Sequence, residues 1–195
     1  MSKTVEFYYD YGSPASYLAW TQMPDLCKRH GATLVYKPIL ICGVFKLTGN
    51  VSPVTVAPKG AWFFDDAKRH AAHYGVPFQK NPFFIINSLP LMRGAIWAAR
   101  EGRLEDFNRV MFEACWVTGR NLNDPDEIKA TVRKGGFDPE ALGAAIQTDE
   151  IKQTLIKATE EAVDRGIFGV PTTFVAGEMH FGQDRLQWVE RALAA

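Results

Sequence analysis

The stretch Phe7-Tyr8-Tyr9-Asp10-Tyr11-Gly12-Ser13-Pro14-Ala15-Ser16-Tyr17 constrains this chain more tightly than any other. An apolar, aromatic run from Val5 to Tyr9 meets a glycine, then Ser-Pro, then a pattern that reads as helix through Trp20 and Leu26. Gly12 permits a sharp turn, Ser13 is a good N-cap, and Pro14 suits the first helical position, where a missing N–H costs nothing. A strand that feeds a helix through so tight a turn aims the helix N-terminus at the space above the strand. Its unpaired N–H groups and partial positive charge suit an anion there: a carboxylate, a phosphate or a thiolate. On its own a Ser-Pro helix start is an ordinary cap, so the functional reading needs a second, distant motif.

Val5–Asp10 is apolar on both faces, which predicts a strand in the interior of a sheet. Tyr17, Trp20, Met23 and Cys27 recur at helical spacing over 14–30, with Pro24 expected to kink or interrupt the helix and Gly31 to close it. Thr33–Lys37 reads as a second strand stopped by Pro38, so this first segment is a parallel, right-handed βαβ unit. From Ile39 to Pro58 the punctuators Gly43, Gly49-Asn50, Ser52-Pro53 and Pro58 predict one long binding loop, in which Lys46 is a candidate pocket cation. The next hundred residues are helical in pattern, with helices over 59–74, 91–100, 104–116, 126–134 and 149–165 and a short one opened by Asp138-Pro139. Thr172–Ala176 and Met179–Phe181 read as a hairpin turned by Gly177-Glu178. A last helix over 184–193 is expected to be capped by Asp184, with Gln187 completing a capping box.

Several functions are excluded at this level. With 22 basic and 22 acidic residues there is no electrostatic footprint for nucleic acid or an anionic membrane. No segment has the roughly 20 apolar residues that span a bilayer, and the N-terminus lacks the apolar core of a signal peptide. Cys27, Cys42 and Cys115 form no C-x-x-C, and so sparse a set points to reduced thiols in the cytoplasm. His70 and His73 share one helical face but lack a third ligand at a metal-site spacing, so they read as a solvated face and no metal is expected.

Taken together, the two ends give β-α-β, an all-helical insertion, then β-β-α. The fold class is therefore α/β, a thioredoxin-like fold with a large all-α insertion: residues 1–58 and 166–195 form a discontinuous thioredoxin-like domain, and 59–165 an inserted helical domain. In that fold the strand-to-helix turn faces a loop with a proline before the third strand. Here Ser13 stands at the first and Val170-Pro171-Thr172 at the second, with the Val170–Pro171 bond expected to be cis. Ser13-Pro14-Ala15-Ser16 replaces a C-x-x-C, and serine cannot carry out thiol–disulfide exchange, which needs a thiolate.

Four segments carry a resemblance. These are the Phe7–Tyr17 stretch, Val44-Phe45-Lys46-Leu47-Thr48-Gly49-Asn50, Phe168-Gly169-Val170-Pro171-Thr172 and Gly182-Gln183-Asp184-Arg185. Along its full length the chain resembles the 2-hydroxychromene-2-carboxylate isomerase family, which is close to kappa-class glutathione transferases. The resemblance implies glutathione as cofactor, a small aromatic substrate and a homodimer. It also implies that Ser13 hydrogen-bonds the glutathione sulfur, that Val170 before cis-Pro171 pairs with the cysteinyl backbone, and that Gln183 and Asp184 meet the γ-glutamyl end. Thr55 and Val56 depart from a polar pair in those enzymes, which leaves Lys46, Lys59 and Asn87 as candidates for the substrate carboxylate. Tyr11, Phe45, Trp62, Phe83, Phe84 and Trp116 either supply aromatic surface for a flat substrate or pack the core, two roles that the sequence does not separate. Three classes follow: a glutathione-dependent isomerase, a transferase or peroxidase using the same site, and a non-enzymatic binding module.

Overall fold

The computed structural model describes residues 3–195. Strand β1 (Thr4–Tyr9), helix α1 (Pro14–Arg29) and strand β2 (Thr33–Pro38) come first. The helices α2 (Ile41–Thr48), α3 (Ala57–Tyr74), α4 (Leu89–Arg100), α5 (Leu104–Trp116), α6 (Pro125–Lys134), α7 (Pro139–Ala145) and α8 (Asp149–Asp164) follow. Strands β3 (Thr172–Val175) and β4 (Glu178–Phe181) and helix α9 (Leu186–Ala194) close the chain. The sheet order is β2-β1-β3-β4, with β1 parallel to β2 and antiparallel to β3, and β3 antiparallel to β4. This is the thioredoxin-like order, with β1 in the interior, as its two-sided apolar character requires.

Alternation along β1 divides the core between the two faces of the sheet. Val5, Phe7 and Tyr9 pack with Leu18 and Met23 of α1, and with Met92, Phe107, Phe112 and Trp116 of the helical insertion, in one continuous cluster. Tyr8 faces the other way, into a smaller cluster with Ile39, Val44, Ala162, Ile167, Val170 and Phe174. Helix α1 runs through Pro24 without ending, and its C-terminal carbonyls are met by the backbone of His30.

Three expectations about the connections are corrected. The predicted loop over 39–58 contains α2, an eight-residue helix closed by Gly49 in the left-handed region, and a single 3-10 turn at Pro53–Thr55. Leu40 stands at the N-cap of α2 and has no side chain to cap it, and Gly43 lies inside, so the usual local signals are absent. Gly43 is there because α8 passes close: a Cβ would lie 3.1 Å from Thr159 Cγ2. Asp184 is not an N-cap; a 3-10 turn over Gln183–Arg185 precedes α9, whose N-cap position is Arg185 with no side-chain cap bond. The hairpin turn also sits one residue earlier than predicted, at Ala176-Gly177, both at positive φ. Among the described residues no helix is long and apolar enough to cross a membrane.

Candidate functional site

Strand register brings the predicted segments to one end of the sheet. Tyr8 pairs with Thr172, so Val170-Pro171, running into β3, lies alongside the end of β1 and the turn that follows it. Thr172 in turn pairs with Phe181, and the Gly182 N–H donates to the Pro171 carbonyl at 2.9 Å, which adds Gln183-Asp184 to the same end. The Val170–Pro171 peptide is cis, as expected.

Ser13 caps α1: its Oγ accepts from the Ser16 N–H at 3.1 Å and its carbonyl from the Tyr17 N–H at 3.1 Å. A hydroxyl has one donor and two lone pairs, so capping leaves the proton to be donated elsewhere. Among the described residues no acceptor takes it. Ser16, where a thioredoxin-type motif would place its second cysteine, is fully buried, with no partner for its Oγ.

The residue that sequence reasoning passed over is Asp10, which is fully buried. Its Oδ1 accepts from the Gly12 N–H at 2.7 Å, and its Oδ2 from the Ile41 N–H and the Ser88 hydroxyl, both at 2.9 Å. Each donor stands at the start of a different helix. Gly12 precedes the cap of α1, Ile41 is the first residue of α2, and Ser88 is at the N-cap of α4 but spends its hydroxyl on Asp10 instead of its own helix. One carboxylate thus supplies the acceptor that α2 lacks and draws three helix N-termini together beneath the Ser13 turn. Gly12 is needed for this approach, since a Cβ there would sit 3.2 Å from Asp10 Oδ1.

These three N-termini are electrostatically bare. The first turns of α1, α2 and α4 carry no acidic residue, as is also true of α3 and α9, whereas those of α5, α6, α7 and α8 do. Acidic side chains there would offset the helix dipole, so the bare ends keep their attraction for an anion.

Burial pushes the Asp10 carboxyl up to about 6 from 3.8, against the pull of its three hydrogen bonds. The folded protein therefore holds a proton on Asp10 more tightly than the unfolded chain does. This group's contribution to stability is present in full below about pH 3.8 and is lost as pH rises through about 6, a swing of about 3 kcal/mol. Urea midpoints taken from pH 4 to 7 should show this downward slope in the wild type and not in D10N; equal slopes would remove Asp10 as its source.

Gln183 is buried, and its side-chain oxygen accepts from the Tyr74 hydroxyl at 2.8 Å, a partner that the sequence did not signal. Asp184 is exposed and paired with Arg185, and it lines a cavity of about 310 Å3 shared with Tyr74, His70 and His73. His70 Nε2 lies 3.5 Å from Asp66 Oδ2 on the same helix. Lys46 is exposed on the last turn of α2 rather than in a loop. The following Asn50 donates to the Phe168 carbonyl at 2.8 Å, which ties that segment to the Val170 loop. Lys59 is exposed in the first turn of α3. Asn87 is exposed next to Ser88, and its side-chain oxygen is taken by the Leu89 N–H at 3.3 Å. Of the aromatic candidates, Tyr11 and Trp116 are core: both are fully buried and joined by a 2.8 Å bond from the indole N–H to the Tyr11 carbonyl. Trp62 and Phe83 are exposed.

None of the three cysteines is activated. Burial raises Cys27 to about 11 and pushes Cys42 and Cys115 upward as well. The chain offers a hydroxyl donor, main-chain groups and bare helix ends, but no thiolate of its own.

Against known proteins, residues 4–194 match the family model described as the DSBA-like thioredoxin domain. The 2-hydroxychromene-2-carboxylate isomerase of Sphingobium xenophagum is 32% identical over 99% of this chain and 99% of its own length. Glutathione S-transferase kappa 1 of Homo sapiens is 29% identical over 99% of this chain and 92% of its own. The solved structure of a 2-hydroxychromene-2-carboxylate isomerase matches with a TM-score of 0.88 at 28% identity, covering 98% of this chain and 94% of the other. A probable DsbA oxidoreductase from Streptomyces coelicolor shares the fold, with a TM-score of 0.77 at 17% identity over 98% of this chain and 88% of the other. The chain belongs to the DSBA-like thioredoxin-domain family and, within it, to the 2-hydroxychromene-2-carboxylate isomerase family.

Proposed function

We propose that this protein is a glutathione-dependent isomerase of a 2-hydroxychromene-2-carboxylate-type aromatic carboxylate. The observation that carries the reading is the Ser13 hydroxyl, which has its proton to spare above three bare helix N-termini and beside the Val170-Pro171 loop. That donor set suits a sulfur anion attached to a peptide. When bound, glutathione supplies a thiolate that adds reversibly to a conjugated double bond and lets it rotate, and it is not consumed.

The chain's own residues hold and orient. Ser13 donates to the sulfur and favours its ionised form, as a hydroxyl at a helix N-terminus does. Val170 offers its backbone to the cysteinyl unit, Gln183 is fixed by Tyr74 at the γ-glutamyl end, and Asp184 attracts the ammonium group. Lys46, Lys59 and Asn87 are the proposed contacts of the substrate carboxylate. On the same reading the protein is a cytoplasmic homodimer, with 59–165 as its inserted helical domain.

The likeness to human glutathione S-transferase kappa 1 favours a second reading, a transferase or peroxidase acting on other electrophiles. Cofactor stoichiometry separates the two. With the hydroxychromene carboxylate in excess over glutathione, the isomerase reading expects complete conversion and an unchanged free-thiol count. Loss of thiol in step with substrate would favour the transferase, and an equal rate without glutathione would refute both.

A further inference from the structure

Asp10 is held by two donors that cannot change and one that can. The Gly12 and Ile41 N–H groups are fixed, but the Ser88 hydroxyl can donate or accept. An ionised Asp10 accepts all three bonds. A protonated Asp10 keeps both backbone bonds, and its new O–H on Oδ2 is accepted by the Ser88 oxygen once that hydroxyl turns round. The pocket therefore fits either charge state without moving a backbone atom. An asparagine does not fit in the same way: whichever way its amide points, its NH2 group faces one of the two fixed N–H donors.

No other group near the turn is suited to change charge near neutral pH. The titratable neighbours that interact with Asp10 are Tyr9, Tyr11, Cys42 of α2 and Cys115 of α5, and burial pushes all four upward, so they stay neutral. The first turns of α1, α2 and α4 carry no charged side chain. Hydrogen bonds alone hold the carboxylate.

We propose that Asp10 is the proton-balancing group of this site, taking up a proton at Oδ2 when an anionic sulfur binds beside Ser13, while the Ser88 hydroxyl turns from donor to acceptor. The proposal rests on the glutathione reading above. One S–H bond of the incoming thiol breaks and one O–H bond forms on Asp10, so the buried site carries a single negative charge before and after binding. Two anions beneath one turn in a low-dielectric interior would repel, and coupling of this kind moves the proton to the site that needs it. The raised Asp10 value, about 6, brings the carboxyl within reach of that change.

The test counts protons. Reduced glutathione is titrated into the protein calorimetrically at about pH 7 in buffers of different ionisation enthalpy, and the bound thiolate is measured by ultraviolet absorbance. Wild type should release close to no proton per thiolate formed, and D10N about one, with the bound thiol of D10N titrating at lower pH because a repelling charge is gone. Infrared difference spectra of the wild type keep the test decisive if D10N fails to fold. A protonated-carboxyl band should rise on binding and shift with carbon-13-labelled aspartate. Full proton release by the wild type, or no such band, overturns the proposal and leaves glutathione binding intact. No binding heat and no thiolate absorbance overturn the glutathione reading, and this proposal with it.

Discussion

Ser13→Ala is expected to slow the glutathione-dependent reaction by about 10²–10³-fold, the loss typical of removing one preorganised donor from a developing anion. The same change should cost only about 0.5–2 kcal/mol of stability, because Ser13 Oγ caps the Ser16 N–H at 3.1 Å. The two roles use different parts of one hydroxyl: lone pair for the cap, proton for the ligand. Ser13→Gly separates them, since glycine at an N-cap costs only a few tenths of a kcal/mol and still removes the donor. Both variants should therefore lose turnover equally and differ in melting temperature. The thiol of bound glutathione should titrate at higher pH in each than in the wild type, the opposite direction from D10N. An unchanged thiol titration, with stability alone altered, would return Ser13 to the rank of an ordinary cap.

Asn108→Leu should damage the fold strongly while leaving the Ser13 site itself untouched. Asn108 is fully buried on α5, and its Oδ1 accepts from both the Tyr9 hydroxyl at 2.6 Å and the Tyr11 hydroxyl at 2.7 Å. Leucine has the branching of asparagine but is larger and offers no acceptor, so two buried hydroxyls lose their shared acceptor, at about 1–3 kcal/mol for each left unpaired. The Asn108 amide nitrogen has no partner of its own, and removing it offsets a little of that loss. A net cost of about 2–5 kcal/mol follows, readable as a lower urea midpoint. The triple variant with Tyr9→Phe and Tyr11→Phe removes donors and acceptor together and should recover most of the loss, since replacing both partners is nearly neutral. If the triple variant is no more stable than Asn108→Leu alone, lost packing and not the orphaned hydroxyls sets the cost. These tyrosines flank Asp10, so the helical insertion braces the strand end that carries the Ser13 turn.

What the sequence disclosed were the features written locally. Ser13-Pro14, Asp124-Pro125 and Asp138-Pro139 begin helices because cap and first-turn proline are adjacent in the chain, and the structure starts α1, α6 and α7 there. The proline of the third-strand loop and the replaced C-x-x-C were equally legible. The features that escaped are made by distant partners. Helix α2 has no cap of its own and depends on Asp10, 31 residues upstream, so no local pattern announces it. Asp10 was in view within the opening stretch, and a carboxylate ending an apolar strand was a usable signal. Its partner Ser88 lies 78 residues further on, however, and Tyr74 is 109 residues from the Gln183 it fixes. Tyr11 and Trp116 are not assignable from sequence, because an aromatic that packs a core and one that lines a pocket look alike until burial is known.

The central claim is that the glutathione sulfur docks between Ser13 and the Val170-Pro171 loop. A crystal structure of the protein soaked with reduced glutathione tests it most directly. The account predicts density with the sulfur within hydrogen-bond reach of Ser13 Oγ, the cysteinyl backbone paired with Val170, and the γ-glutamyl end at Gln183 and Asp184. Glutathione ordered elsewhere on the molecule, or its sulfur turned away from Ser13, would contradict it.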